Sequence, residues 1–150
     1  MKRMLLGVGN RLSHDDGVGP AVAQALDCSD WITIDCGTSL ENVVGIVSRE
    51  QPDQLVIVDA AIMGLEPGAV RRLPIQANDR MLASTHGLPL SFVLASMESA
   101  ASETILIGIE PTDLSFGEGL SSVVETSAQA LIELLCQKDL DRIPKHEIPL

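Results

Sequence analysis

Apolar residues along this chain follow two alternating rhythms: short continuous runs, and stripes spaced three and four apart. Arg3 to Val8 is a short apolar run ending in glycines, which predicts a buried strand. Gly17 to Asp27 carries Val18, Ala21, Val22, Ala25 and Leu26 at i, i+3, i+4, i+7 and i+8, the stripe of a helix, with Pro20 suited to its first turn. Trp31 to Ile34 reads as a second strand, closed by Asp35-Cys36-Gly37. Thr38 and Glu41 stand three apart and can form a capping box for a helix burying Leu40, Val43, Val44 and Val47. Leu55 to Val58 is the most continuous β-branched run and predicts a central strand. Ala69 to Pro74 reads as an edge strand whose two arginines blunt an open edge. Gln76 to Thr85 looks irregular. His86-Gly87-Leu88-Pro89 leads into a helix with Leu90, Val93, Leu94 and Met97 on one face. Thr104 to Ile109 is the last strand, and Leu120 to Gln137 the longest helical pattern.

Strand and helix alternate almost throughout, which predicts an α/β three-layer sandwich: a mostly parallel, twisted sheet of about five strands with helices on both faces. Residues 1–138 read as a single α/β domain. Asp139 to Leu150 has two prolines and no periodicity, and is expected to be a loosely ordered C-terminal tail. Right-handed crossovers place the strand-to-helix loops at one edge, the carboxyl ends of the strands. Acids gather there: Asp15 and Asp16 after the first strand, Asp35 after the second, Asp59 after the third. His86 can reach the same rim, and Glu110, after the last strand, is a weaker member.

Composition narrows the reading. At 150 residues and 45% apolar, the chain can bury a proper core, yet Trp31, Phe92 and Phe116 are its only aromatics, so that core is aliphatic. A net charge of −11 argues against nucleic acid and anionic membranes, which need clustered Lys and Arg. It is compatible with a metal cation or a basic polypeptide, although most of these charges read as a solvated surface. No apolar run is long enough to span a bilayer and no signal-peptide pattern is present, so a cytoplasmic protein is expected. Cys28, Cys36 and Cys136 are odd in number and widely spaced, which favours reduced, mostly buried thiols.

Asp oxygen and His nitrogen suit a borderline divalent ion, and Asp16, Asp59 and His86 supply three ligands while leaving positions open. Spacing alone carries the reading no further than a divalent-metal site. Asp15 and Asp16 equally suit helix capping, Asp35 an Asx-turn, and His86 a loop histidine bonded to backbone. His14 reads as an exposed loop residue and His146 as part of the tail. Gly7-Val8-Gly9 after a strand suggests a dinucleotide site, but the third glycine position holds Leu12 and the acidic pair would repel a pyrophosphate. No G-x-S-x-G elbow is present, and Asp35 beside Cys36 would raise the thiol's pKa.

The run Gly7-Val8-Gly9-Asn10-x-Leu12-x-x-Asp15-Asp16-Gly17-x-Gly19 opens a series that continues with Asp35-Cys36-Gly37-Thr38, Val58-Asp59-Ala60 and His86-Gly87-Leu88. Together with Gly108-Ile109-x-Pro111 and Gly119-Leu120-Ser121, the series resembles the hydrogenase maturation endopeptidases over roughly residues 3 to 136. The resemblance implies an endopeptidase that removes a short C-terminal extension from a nickel–iron hydrogenase large-subunit precursor after nickel insertion. It implies Asp16, Asp59 and His86 as the residues that recognise nickel, supplied by the substrate, with no organic cofactor. Asp35 matches a further family acid, although Cys36 replaces a glycine beside it. Two catalytic routes are open: metal activation of carbonyl or water, or general-base action by Asp16 or Asp35. The expected partner is the precursor, with no nucleic acid and no membrane, and the expected state is a monomer. A non-enzymatic nickel-binding maturation chaperone would bind without cleaving. An unrelated metal-dependent amidohydrolase would turn over small amides.

Overall fold

The apolar runs assemble into one sheet of five strands: β1 (Arg3–Val8), β2 (Trp31–Gly37), β3 (Gln54–Ala60), β4 (Val70–Leu73) and β5 (Glu103–Ile109), in the order β2-β1-β3-β5-β4. They belong to a computed structural model that describes residues 1–82 and 89–146. All neighbours run parallel except β4, which pairs antiparallel to β5 at the edge. The helices are α1 (Val18–Ala25), α2 (Val44–Glu50), α3 (Leu90–Ala100) and α4 (Ser122–Gln137).

The period-two alternation of the strands divides the core into two layers. Leu5, Val56, Val58, Ile107 and Ile109 face α1 and α4, meeting Val18, Val22, Val124 and Leu131. Met4, Leu6, Leu55, Ile57 and Leu106 face α2 and α3, meeting Val47, Val93, Leu94 and Met97. The three-layer expectation holds, and the interior is aliphatic apart from Trp31, whose indole N–H donates to the Leu135 carbonyl at 3.0 Å. Among the described residues no helix is long and apolar enough to cross a membrane.

Several local expectations are corrected. The second strand continues through Asp35 and Cys36 instead of closing before them. Thr38 and Glu41 form no capping box: a 3₁₀ turn over Leu40–Val43 precedes α2, with Ser39 at its cap and no side-chain cap bond. A 3₁₀ helix covers Ile75–Arg80 in the stretch expected to be irregular. The segment expected to hang loosely after α4 packs as far as residue 146, because it carries two apolar anchors. Leu140 and Ile143 are buried against the α1–α4 layer. The Arg72 amide donates to the Pro144 carbonyl and the His146 amide to the Arg72 carbonyl, both at 2.9 Å, which covers the open side of β4. Cys28 and Cys136 are joined as a disulfide across 108 residues, with Cα atoms 5.8 Å apart, so only Cys36 is a free thiol. Sequence spacing could not show that the end of α4 returns beside the exit of α1.

Candidate active site

The carboxyl ends of β1 and β3 are closed over by the start of α1, and glycines permit that approach. A Cβ on Gly19 would run into the carbonyl oxygens of both Val8 and Val58, and one on Gly7 into the carbonyl oxygen of Gly19. The glycines that resemble a phosphate loop therefore serve helix–sheet contact. Gly9, at φ +150°, turns the chain out of β1 and donates its N–H to Gly37 on β2 at 2.8 Å. The chain then makes a 3₁₀ turn over His14–Gly17 that carries the acidic pair and packs against β3.

The two adjacent carboxylates have different surroundings. Asp15 is fully buried. Its Oδ2 accepts from the Thr112 and Asp113 amides, each at 3.0 Å, and from the Ser121 hydroxyl at 2.9 Å. Its Oδ1 accepts from the Ser121 amide at 2.8 Å. Burial pushes its pKa up, but the amides of Asp113, Ser121 and Thr112 and the Ser121 hydroxyl outweigh that and hold the carboxyl below its ordinary value. Asp16 is half-buried. Its Oδ2 accepts from the Asn10 amide at 3.2 Å, while Oδ1 is shielded from solvent and has no hydrogen-bond partner among the described residues. Burial raises its pKa and the single Asn10 bond only partly opposes this.

Asp15 thereby ties the β1 loop to the loop between β5 and α4. The same two loops are joined by Asp15 N–H to the Asp113 carbonyl at 2.9 Å, Gly117 N–H to the Leu12 carbonyl at 2.8 Å, and His14 N–H to the Gly117 carbonyl at 2.9 Å. His14, read as an exposed loop residue, belongs to this clasp: its Nδ1 donates to the Gly119 carbonyl at 2.9 Å. Thr112, Asp113 and Ser121 carry no signal in the sequence that links them to Asp15.

Asp35 stands opposite Gly7 in the β1–β2 register, near the end of β2. Its Oδ2 pairs with the Arg11 guanidinium and its Oδ1 accepts from the Gly37 amide at 2.9 Å, so the expected Asx-type bond forms at a strand end. Arg11, which the sequence reading passed over, comes from the same loop as Asp16. Arg11, His14, Gln24, Glu118 and Leu120 are among the residues lining a groove of about 260 Å³ beside the acidic pair. A larger cavity, about 640 Å³, lies at the opposite edge of the sheet around Gln54, Leu73 and Glu103 and carries none of the rim acids.

Asp59 lies in β3, fully buried and opposite Gly108 on β5, one position beyond the Gly7–Val58 pair that aligns β3 with β1. It therefore reaches the carboxyl edge next to the strand that delivers Asp16. His86, the third expected ligand, lies outside the described residues. Among the described residues no group of three or more His, Cys, Asp and Glu side chains is arranged to hold a metal ion. Glu110 proves to be a brace: its Oε1 accepts from the amides of Met63 at 2.9 Å and Leu65 at 3.0 Å. Burial pushes the Cys36 thiol up to about 12, which removes it as a nucleophile near neutral pH.

The described chemistry at this edge is thus two aspartates near one another in the fold, one with an unengaged oxygen, and a third held by an arginine. Comparison with known proteins gives this edge a context. The family of hydrogenase maturation proteases matches residues 20–138. The hydrogenase 3 maturation protease of Escherichia coli K12 is 31% identical over 139 residues, covering 90% of this chain and 89% of that protein. The solution structure of the endopeptidase HycI from Escherichia coli superposes with a TM-score of 0.87 at 28% identity, covering 100% of this chain and 99% of that one. The crystal structure of a [NiFe] hydrogenase maturation protease HycI from Thermococcus kodakarensis gives 0.77 at 30% identity, with 91% and 90% covered. The fold, the order of the acidic blocks and these matches together make the chain a member of the hydrogenase maturation proteases.

Proposed function

We propose that this peptidase removes the C-terminal extension of a nickel–iron hydrogenase large-subunit precursor once nickel is in place, acting in the cytoplasm as a monomer. The observation that carries the proposal is Oδ1 of Asp16, which lies in the loop after β1, is shielded from solvent and is unengaged among the described residues. An unpaired carboxylate oxygen at such a place is costly unless a cation or a proton completes it. Nickel belongs to the substrate, and a carboxylate–histidine donor set fits a borderline divalent ion. Asp16 and Asp59, with His86, would receive it and so bring the precursor tail to the rim.

Of the two carboxylates read as candidate general bases, Asp16 has the accepting capacity. Asp35 already has one oxygen on Arg11 and the other on the Gly37 amide. Asp35 would therefore keep Arg11 and the first loop in place, while Asp16 takes the metal or a proton from water. An empty precursor would lack the anchor, which makes nickel a licence for cleavage.

The test is the intact mass of a nickel-loaded and a nickel-free precursor before and after incubation. Loss of one C-terminal peptide from the loaded precursor alone is expected with the wild-type protein. Asp16→Asn should lower the rate by at least 100-fold, the scale lost with a general base or a key electrostatic contact. Unchanged cleavage by that variant would sink the role of Asp16. Tight binding without cleavage by the wild type would favour the maturation chaperone.

A further inference from the structure

The clasp that holds Asp15 also presents apolar side chains to solvent. Leu12 is 46% exposed, Leu114 40% and Phe116 84%, and all three sit on the two loops that Asp15 ties together. Phe116 immediately precedes Gly117, whose amide is bonded to the Leu12 carbonyl, so the two side chains leave adjoining backbone. The backbone beneath them is fixed by Asp15 and His14, and Ser115 is further held by its amide bond to Asp113 Oδ1 at 3.0 Å. One of only three aromatics in the chain is thus held out in water on a braced loop. Exposed apolar groups clustered on a rigid support mark a contact surface.

We propose that Leu12, Leu114 and Phe116 form a docking platform for the precursor, taking apolar side chains of its folded body next to the C-terminal extension. The proposal rests on the function argued above and adds the residues that select the substrate. Three features favour the precursor as occupant. The platform is continuous with the site: Leu12 donates its amide to the Asn10 side chain at 2.9 Å, and Asn10 donates its own amide to Asp16. The loop that carries Leu12 is thus the loop that carries Asp16, so a polypeptide whose scissile bond lies at Asp16 sits beside it. Three side chains are also too few for a stable dimer, which typically buries about 1,600 Å² in total. Finally, a chain with net charge −11 repels its own copy, and Asp113 and Glu118 lie on the same loop.

The test uses the full chain and the nickel-loaded precursor. Dissociation constants come from fluorescence titration with labelled precursor, and KM and kcat from the mass assay. Phe116→Ser should raise Kd and KM at least tenfold, leave kcat within twofold and leave the thermal midpoint unchanged. Phe116→Leu should restore most of the affinity. Kd and KM within twofold of wild type would overturn the proposal. So would a wild-type dimer in sedimentation equilibrium that Phe116→Ser dissolves while precursor affinity stays constant. If the wild type binds but does not cleave, the proteolytic reading falls and the Kd ratio still decides the platform. If the wild type does not bind the precursor, both fall.

Discussion

Replacing Asp15 by Asn tests whether one ionised carboxylate holds the two rim loops together. Asn can keep an oxygen where Oδ2 accepts from Thr112, Asp113 and the Ser121 hydroxyl. Its amide group then faces the Ser121 N–H that Oδ1 now accepts, setting donor against donor. Bonds to a charged acceptor contribute about 1.5–3 kcal/mol each, against about 0.5–1.5 kcal/mol for neutral ones, and an orphaned buried donor costs about 1–3 kcal/mol. Three weakened bonds and one orphan total about 4–7.5 kcal/mol. Relief from burying a charge offsets part of that, leaving about 2–4 kcal/mol, or roughly 5–15 °C in Tm for a domain of this size. The effect depends on pH. The folded pKa of Asp15 lies below the ordinary value of 3.8, so its stabilisation is complete above that value and is lost as pH falls through the folded pKa. Neighbouring Asp16 has the opposite shift, and loosening it in the variant would narrow the gap at pH 7, so the comparison is made with Asp16→Asn in both proteins, which removes its titration. Urea unfolding with and without Asp15→Asn on that background should therefore show the full gap at pH 7 and a smaller one at pH 3. An equal gap at both would refute the assignment to the ionised carboxylate. A gap under about 0.5 kcal/mol at pH 7 would refute the clasp.

Gly19→Ala should lose about 3 kcal/mol, because the atoms in its way are backbone carbonyls of β1 and β3 that cannot swing aside. Gly45→Ala in α2 meets nothing within 4 Å and should gain about 0.5–1 kcal/mol; thermal melts of the two variants should move in opposite directions. Thiol titration of the denatured, unreduced protein should count one group per chain, Cys36, and three after reduction. In the native state Cys36 should resist iodoacetamide at pH 8, its thiol being pushed up to about 12, and rapid native labelling would contradict its burial. A cystine is unusual in a reducing compartment, so a count of three without reductant would restore the expectation of free thiols.

The sheet was legible because each strand is a compact β-branched or apolar run and each helix carries a spaced stripe. Leu55 to Val58 is the clearest case: these residues lie fully buried in the middle strand. Two of the errors, the tail and the cysteines, share a cause: contacts that arrive from far along the chain. Nothing around Leu140 and Ile143 has a period, yet two apolar residues suffice to dock a segment when a groove already exists for them. The cap at Thr38 failed because the chain entered α2 through a 3₁₀ turn that begins one residue later. The disulfide joins residues on different elements whose proximity depends on α1 and α4 sharing one face of the sheet.

Asp15 and Asp16 show where sequence reasoning about a site runs out. Both precede a helix, both are acids, and a capping role suited each equally. In the fold neither makes a side-chain cap bond to the turn it sits in. A 3₁₀ turn carries successive side chains about 120° apart, so neighbours in sequence point in different directions. One carboxylate enters the protein toward the β5–α4 loop, where four donors converge. The next accepts only from the Asn10 amide, in the loop that leaves β1, and keeps an oxygen unengaged among the described residues. The donors that separate them, Thr112, Asp113 and Ser121, are about a hundred residues away, in a loop that reads locally as turns and glycines. The first aspartate thereby makes the second useful: by fixing the loop, Asp15 can hold Asp16 in place against the pull of its own burial. If so, Asp15→Asn should slow precursor cleavage even at temperatures where the variant is fully folded, through loss of loop position alone. Normal cleavage by the folded variant would show that Asp16 is positioned by α1 and β1 without help from the clasp.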